Sequence, residues 1–205
     1  MFASHIGEIA ALGTAMLWVL TGTAFELGGR RVGSLAVNYI RLLMAVVIMG
    51  IYLWISRGSP IPFDASNKTL FWLALSGLAG FVIGDLFLFE SYLLVGTRIA
   101  LLIMSLSPIL TGILGYLIFG ELLSLLSLIG IALVILGIML VVLMKDPGQK
   151  LKLSAQPKGL FYAVLGAVGQ SVGLIFSKMG MDGYDPFAST QIRLITGSIG
   201  WTLLF

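Results

Sequence analysis

Two long uncharged apolar segments, residues 99–120 and 122–144, follow each other with only Glu121 between them. Either segment is long enough to cross the hydrocarbon core of a bilayer, which takes about 20 mainly apolar residues in a helix. The whole chain has 59% hydrophobic and 10% charged residues, whereas a soluble domain has about 25% charged residues. The sequence therefore predicts an integral membrane protein.

The same rule predicts six membrane-spanning helices and the start of a seventh. Their approximate bounds are residues 7–28, 35–56, 69–93, 97–119, 123–144 and 158–179, and the last helix begins at 187. No alternation of the strand type runs over a useful length, so the predicted fold class is an all-α polytopic membrane protein. Because the chain reaches Phe205 inside an apolar run, we expect an incomplete sequence or a partner that completes the seventh helix.

The residue types exclude several kinds of site. The net charge is +3 but no dense basic tract occurs, so no nucleic-acid partner is expected. The chain has no cysteine, and its single histidine, His5, precedes the first span, so no metal site or cofactor is predicted. No HExxH, GxSxG or Walker-type motif is present, so the sequence does not indicate an enzyme.

An internal repeat relates the second predicted span to the seventh. Residues 38–45 (NYIRLLMA) and 190–197 (TQIRLITG) share Ile-Arg-Leu, and placing Arg193 over Arg41 gives an offset of 152 residues. Without a gap, this offset also aligns five pairs of identical small residues in the flanking helices. The repeated unit would contain five helices. An odd number of crossings inserts the second copy upside down, which is the inverted repeat common in secondary transporters.

Several phrases, in order, resemble the EamA-like members of the drug/metabolite transporter superfamily. They are Arg41 in IRLLMA, LSGLAGFVIGDLFLFESYLLVGTR (75–98), SLSPILTGILGYLIFGE (105–121) and LIGIALVILGIMLVV (128–142). The resemblance implies ten helices in two five-helix halves with a solute cavity between them, of which about six and a half are present. It implies residues 7–144 as the first repeat, 145–157 as a polar linker and 158–205 as the start of the second repeat. It also implies a prokaryotic cytoplasmic (inner) membrane.

The function predicted on this basis is secondary transport. The protein would export or exchange small metabolites or drug-like solutes by alternating access between the two repeats. Because no nucleotide-binding module is recognisable, a coupling proton or a counter-solute would drive transport, and the lipid bilayer would surround the protein. The alternative is a non-transport membrane component, either a half-unit that needs a partner or a lipid-handling or scaffold protein.

Two opposite charges lie inside the predicted spans at similar depth. Arg41 lies about 9 Å after the start of the second span, and Asp85 about 12 Å before the end of the third, from the same membrane side. They form either a buried ion pair or part of a solute or proton route, since intramembrane charges usually face a bundle interior or a wet cavity. Ser105 falls at a comparable level. Glu90 and Glu121 lie near helix ends and are predicted to be interfacial or loop-contacting groups, with part of a transport site as the alternative.

A second set of candidate residues lies on one face of the first span. Spaced 4, 3 and 4 residues apart, they are Thr14, Trp18, Thr21 and Phe25. The repeat offset maps them to Gly166, Gln170, Gly173 and Ser177 in the sixth span. These two faces predict either a shared solute cavity, with Trp18 and Gln170 facing each other, or close packing of helices.

Helix irregularities and loop charges complete the predictions. Pro108 removes a backbone hydrogen bond in the fourth span, which predicts a hinge where Ser105 and Thr111 could satisfy the freed groups. Glycines that recur at helical spacing predict close packing, and they are Gly77, Gly80 and Gly84, and Gly130 and Gly137. Seven Lys or Arg residues at one membrane side against three at the other predict that the N-terminus lies outside.

Overall fold

The computed structural model of the protein describes residues 6–143 and 156–204, and these residues form eight α-helices and one π-helical segment. In chain order they are α1 (Ile6–Val32), α2 (Ser34–Arg57), α3 (Asn67–Gly77), the π segment (Leu78–Gly84), α4 (Asp85–Met104), α5 (Ser107–Phe119), α6 (Leu125–Leu143), α7 (Pro157–Gly180) and α8 (Pro186–Leu204). No strand occurs in these two described ranges, so the predicted all-α class is confirmed. His5, Phe205 and nearly all of the predicted 145–157 linker lie outside the described residues.

Three stretches of the described chain are long and apolar enough to cross a membrane. They are Ser34–Arg57, the continuous Asn67–Met104 and Pro157–Gly180, and the shorter apolar helices are Ser107–Phe119 and Leu125–Gly137. These lengths and the apolar composition support an integral membrane protein. The fourth predicted span, 97–119, is not one continuous helix, because α4 ends at Met104 and α5 begins at Ser107.

A sharp change of direction occurs inside α4 at Gly96. Its φ of 79° and ψ of 156° lie in a region that glycine adopts readily and other residues rarely adopt. Directly after it, the Thr97 N–H donates to Glu26 Oε2 of α1 at 2.7 Å, and the Thr97 hydroxyl donates to the same oxygen at 2.5 Å. The break therefore lies where the sequence separates the third and fourth spans, and Glu26 holds it against α1.

Helix α7 is the centre of the bundle and packs against α3, the π segment, α4 and α5. Glycines allow the closest approach. A Cβ added to Gly169 would lie 2.6 Å from Gly84 Cα, and one added to Gly173 would lie 3.0 Å from Gly80 Cα. These distances are at or inside the closest normal contacts of a Cβ, so the two backbones touch here, as small residues permit between membrane helices.

The predicted packing role of the glycines is confirmed for one group and not for the other. Gly80 and Gly84 contact α7, and a Cβ on Gly77 would lie 2.5 Å from the Arg193 carbonyl oxygen of α8. Gly130 and Gly137 of α6 have no neighbour within 4 Å of an added Cβ in the described part of the chain. Close packing therefore joins α3 and the π segment to α7 and α8, whereas the glycines of α6 face open space.

Candidate functional site

The bundle interior contains a cluster of four polar side chains from α2, α4 and α7, which we call the polar cluster: Asn38, Arg41, Asp85 and Gln170. Asp85 is 1% exposed, and its Oδ2 forms an ion pair with Arg41 Nη2. Gln170 Nε2 donates to Asp85 Oδ1 at 2.7 Å, and Arg41 donates from Nη2 to Asn38 Oδ1 at 2.7 Å. The contact between Arg41 and Asp85 that the sequence predicted from depth is present, and their role in a solute pathway stays a prediction.

Aromatic rings surround the cation of this cluster. The Arg41 guanidinium carbon lies 5.7 Å from the centre of the Phe25 ring and 5.3 Å from that of Phe89. The two rings are 5.1 Å apart. The ring faces attract the cation. Phe25 is thus the member of the predicted α1 face that reaches the charged interior.

The π segment directly precedes Asp85 and exposes backbone carbonyls to side chains of other helices. In a π-helix the hydrogen bonds run from i to i+5, and π turns inside α-helices are frequent at functional sites. Gln170 Nε2 donates to the Gly80 carbonyl at 3.2 Å, and Trp201 Nε1 donates to the Phe81 carbonyl at 2.7 Å. Gln170 therefore joins the π segment to Asp85. This segment was not predicted from the sequence, because LAGFVIG has the composition of an ordinary glycine-containing helix.

The other residues predicted on α1 do not reach the polar cluster. The Thr14 hydroxyl donates to the Ala10 carbonyl and the Thr21 hydroxyl to the Leu17 carbonyl, both at 2.8 Å within the helix. Trp18 is 42% exposed. Helix α1 packs against α2 and α4. These three residues therefore lie on a largely exposed stretch of helix.

The corresponding face of α7 is covered by other elements. An added Cβ on Gly166 would meet Leu88 at 3.2 Å, and one on Gly173 would meet Gly80. The predicted juxtaposition of this face with the first span is therefore corrected, because α4 and the π segment occupy the place that the prediction gave to α1. Ser177, the last member of this face, instead lines a cavity described below.

Pro108 follows the break between α4 and α5, and its part as a hinge stays a prediction. It lies in the first turn of α5, where the missing N–H has no intrahelical acceptor in any case. Ser105, in the two-residue break before α5, donates to the Leu102 carbonyl at 2.5 Å, as predicted for a broken helix. Thr111 Oγ1 is buried and has no hydrogen-bond partner in the described residues, so its predicted part in satisfying the break is wrong.

A cavity of about 950 Å³ opens between α3, α5, α7 and α8 at the membrane side that carries the loop 58–66. Lys68 lines it from the first turn of α3, and Trp72 and Phe119 give it an aromatic wall. Arg193 also lines it, about 10 Å along α8 from the start of that helix. The cavity therefore runs from the helix ends towards the level of the polar cluster.

Arg193 has no acceptor among the described residues. Its Nε is buried without a hydrogen-bond partner, and its guanidinium carbon lies 4.9 Å from the centre of the Phe81 ring. Asp85 acts on Arg193 electrostatically, but its two oxygens are bonded to Arg41 and Gln170. From the sequence, Arg193 was assigned only as the repeat partner of Arg41. The offset of 152 residues was the signal that could have assigned it to the site.

Charged loop residues lie near the cavity mouth. Arg57 Nη2 donates to Asp64 Oδ2 at 2.8 Å, Tyr184 donates to Asp64 Oδ1 at 3.0 Å, and Arg57 Nη1 lies 3.8 Å from Asp185 Oδ2. The hydrogen bond from Arg57 holds the pKa of Asp64 below its usual value. Asp64 is therefore ionised at neutral pH, and this contact weakens only as the pH falls through the lowered pKa.

The two carboxylates predicted to be interfacial contact neighbouring polar groups. Glu90 accepts a hydrogen bond from Ser34 at the start of α2 and is half-buried. Glu121 pairs with Lys178 of α7, and both side chains are about half exposed, at 54% and 52%. Glu90 therefore contacts the start of α2, and Glu121 contacts Lys178, which lines the cavity described above. Neither joins the polar cluster.

The fold and its buried charges define a polytopic membrane protein with a polar interior and a cavity open to one side. A profile of the EamA-like transporter family matches residues 5–143, and the chain belongs to this family. It is 28% identical over 167 residues to an uncharacterized transporter of Archaeoglobus fulgidus. The aligned region covers 82% of this chain and 56% of the relative. The chain thus spans a little over half the length of that relative. No solved structure matches this chain.

Proposed function

We propose that the protein acts as a secondary transporter that moves small solutes by alternating access between two inverted repeats. In this proposal residues 7–144 form one five-helix repeat and residues 158–205 begin the second. The observation that carries it is the cavity of about 950 Å³, which has the size of a small-molecule site and reaches Arg193. Arg41 and Arg193, which the repeat relates, both act on Asp85, and this supports a pseudo-symmetric centre.

The positions of the contacts suggest how access alternates. The polar cluster ties α2, α4 and α7 together, while the cavity is open at the side of the loop 58–66. In the opposite state the cluster would separate and the cavity would close. The π segment, Gly96 and the break before α5 are points where helices bend at low cost, because their regular hydrogen bonding is already interrupted. Export or exchange, driven by a proton or a counter-solute, belongs to this proposal.

One observation favours the second candidate, a non-transport membrane component. Helix α6 and the segment before it expose large apolar side chains, and Leu122, Leu125 and Leu126 are 86%, 75% and 79% exposed. Such a surface suits lipid or a partner subunit. A component of this kind would have no solute-accessible cavity in the bilayer, so accessibility of the cavity to water separates the two candidates.

Cysteine labelling tests the cavity assignment with a matched pair on α7. The chain has no native cysteine. Leu174 lines the cavity and is 45% exposed, whereas Val168 on the same helix is 40% exposed and does not line it. We expect Leu174→Cys to react with a small water-soluble maleimide in membranes and Val168→Cys to stay unlabelled, because water enters a cavity but not hydrocarbon. Equal labelling of the two positions, or none at either, would contradict a solute route here.

A further inference from the structure

We propose that the cavity binds a small organic monoanion, with its acid group on Arg193 and its apolar body against Trp72 and Phe119. This inference rests on the proposed function, since it names the substrate class for the same cavity. Three features of the described residues support it: a guanidinium without an acceptor, the sign of the charge furthest from the mouth, and an apolar aromatic wall.

The first feature is the unsatisfied guanidinium. Arginine carries five N–H donors and stays charged in proteins, so a donor of its guanidinium that is buried without an acceptor is unfavourable. Arg193 Nε is buried without a partner, and no ion pair within 4 Å involves Arg193 in the described chain. Asp85 does not take this place in the structure: its oxygens contact Arg41 and Gln170, and it forms no hydrogen bond or ion pair with Arg193. A carboxylate from a solute fits the planar fork of the guanidinium by two parallel hydrogen bonds.

The second feature is the distribution of charge along the cavity. Its charged lining residues are Lys68, Lys178, Asp182 and Arg193. Lys178 is paired with Glu121, and Lys68, Lys178 and Asp182 all lie in helix ends or the connection beside the mouth. Only Arg193 lies well inside a helix, about 10 Å from its start. The inner end of the cavity therefore favours one negative group and repels a cation.

The third feature is the apolar surface between the mouth and Arg193. Trp72, Phe119 and Leu174 come from three different helices, and the Trp72 ring packs 5.6 Å from that of Phe176. A fully polar anion would leave this surface facing water inside the cavity. A solute with an aromatic or aliphatic body would cover it, as ligands do in pockets that combine apolar walls with a few polar groups.

The test measures binding of three isosteric probes to the purified full chain in detergent, by quenching of tryptophan fluorescence and by shift of the melting temperature. The probes are 3-phenylpropanoate, 3-phenylpropanamide and 3-phenylpropylammonium. We expect the acid to bind and the amide and the amine not to bind at the same concentration. Arg193→Gln should weaken binding of the acid roughly 30-fold or more, because it removes the charged partner of the acid group. Arg193→Lys should retain part of it, and the exposed Arg98→Gln should bind like the unsubstituted chain.

Equal binding of the three probes, or acid binding that is unchanged in Arg193→Gln, would overturn the proposal. If Arg193→Gln does not fold, the three probes on the unsubstituted chain still decide the sign of the preferred charge. Acid binding without any flux in liposomes would leave the anion site in place and contradict transport. Flux of the amine without acid binding would contradict the anion site and leave transport in place.

Discussion

Arg41→Gln is expected to lower the free energy of unfolding by about 3–5 kcal/mol, because it leaves a buried carboxylate without its cation. Asp85 is 1% exposed, and Gln170 would be the remaining side-chain donor to it among the described residues. Asp85→Asn should have a loss of similar size, and the double substitution should lose clearly less than the two single losses together. Unfolding by SDS titration in mixed micelles measures all three variants.

The control for this cycle is an ion pair within α1 whose cation is exposed. Arg30 Nη2 lies 2.8 Å from Glu26 Oε1, and the Arg30 side chain is 54% exposed, whereas that of Glu26 is 21% exposed. Arg30→Gln should lower the free energy of unfolding by less than about 1 kcal/mol, since water and salt screen the exposed guanidinium. If the losses of Arg41→Gln and Asp85→Asn simply added in the double variant, the two side chains would not interact. That result would contradict the ion pair in the polar cluster.

Gly169→Ala is the second substitution with a large expected effect. Its Cβ would lie 2.6 Å from Gly84 Cα and 2.8 Å from Gly84 N, and backbone atoms cannot move aside as a flexible side chain can. The contact between α7 and the π segment would have to open, so we expect a loss of about 1–3 kcal/mol in the free energy of unfolding, the usual cost of overpacking. The same SDS titration measures it.

Gly137→Ala provides the comparison, because an added Cβ there meets nothing within 4 Å in the described chain. Alanine is a better helix former than glycine by about 1 kcal/mol, so this change should be neutral or stabilising. Equal losses at Gly169 and Gly137 would mean that the glycines act through helix propensity alone and not through packing.

Helix phase and depth predicted the parts of the site that depend on one helix or on one pair of charges. Arg41 and Asp85 were placed together because opposite charges at one depth in hydrocarbon have few other partners. The boundary near Gly96 followed from the length of helix that crosses a bilayer. These predictions needed no knowledge of which helices are neighbours.

The parts that were missed depend on tertiary neighbours. Phase shows that Gly166, Gln170 and Gly173 share a face, but not that α4 and the π segment cover it. A π turn changes hydrogen-bond partners without changing composition, so LAGFVIG reads as an ordinary helix. The importance of Arg193 follows from the absence of an acceptor around it, which only the packed structure shows.

Solute exchange in liposomes tests the proposal of transport most directly. The purified chain is reconstituted with trapped unlabelled solute, and uptake of the same labelled solute is followed for 3-phenylpropanoate, its amide and its amine. We expect protein-dependent, saturable uptake of the acid. Uptake should be faster with trapped solute, because a transporter that works by alternating access can then return to the outside with solute bound. Uptake of all three solutes at the rate of protein-free liposomes would contradict transport and favour the non-transport membrane component.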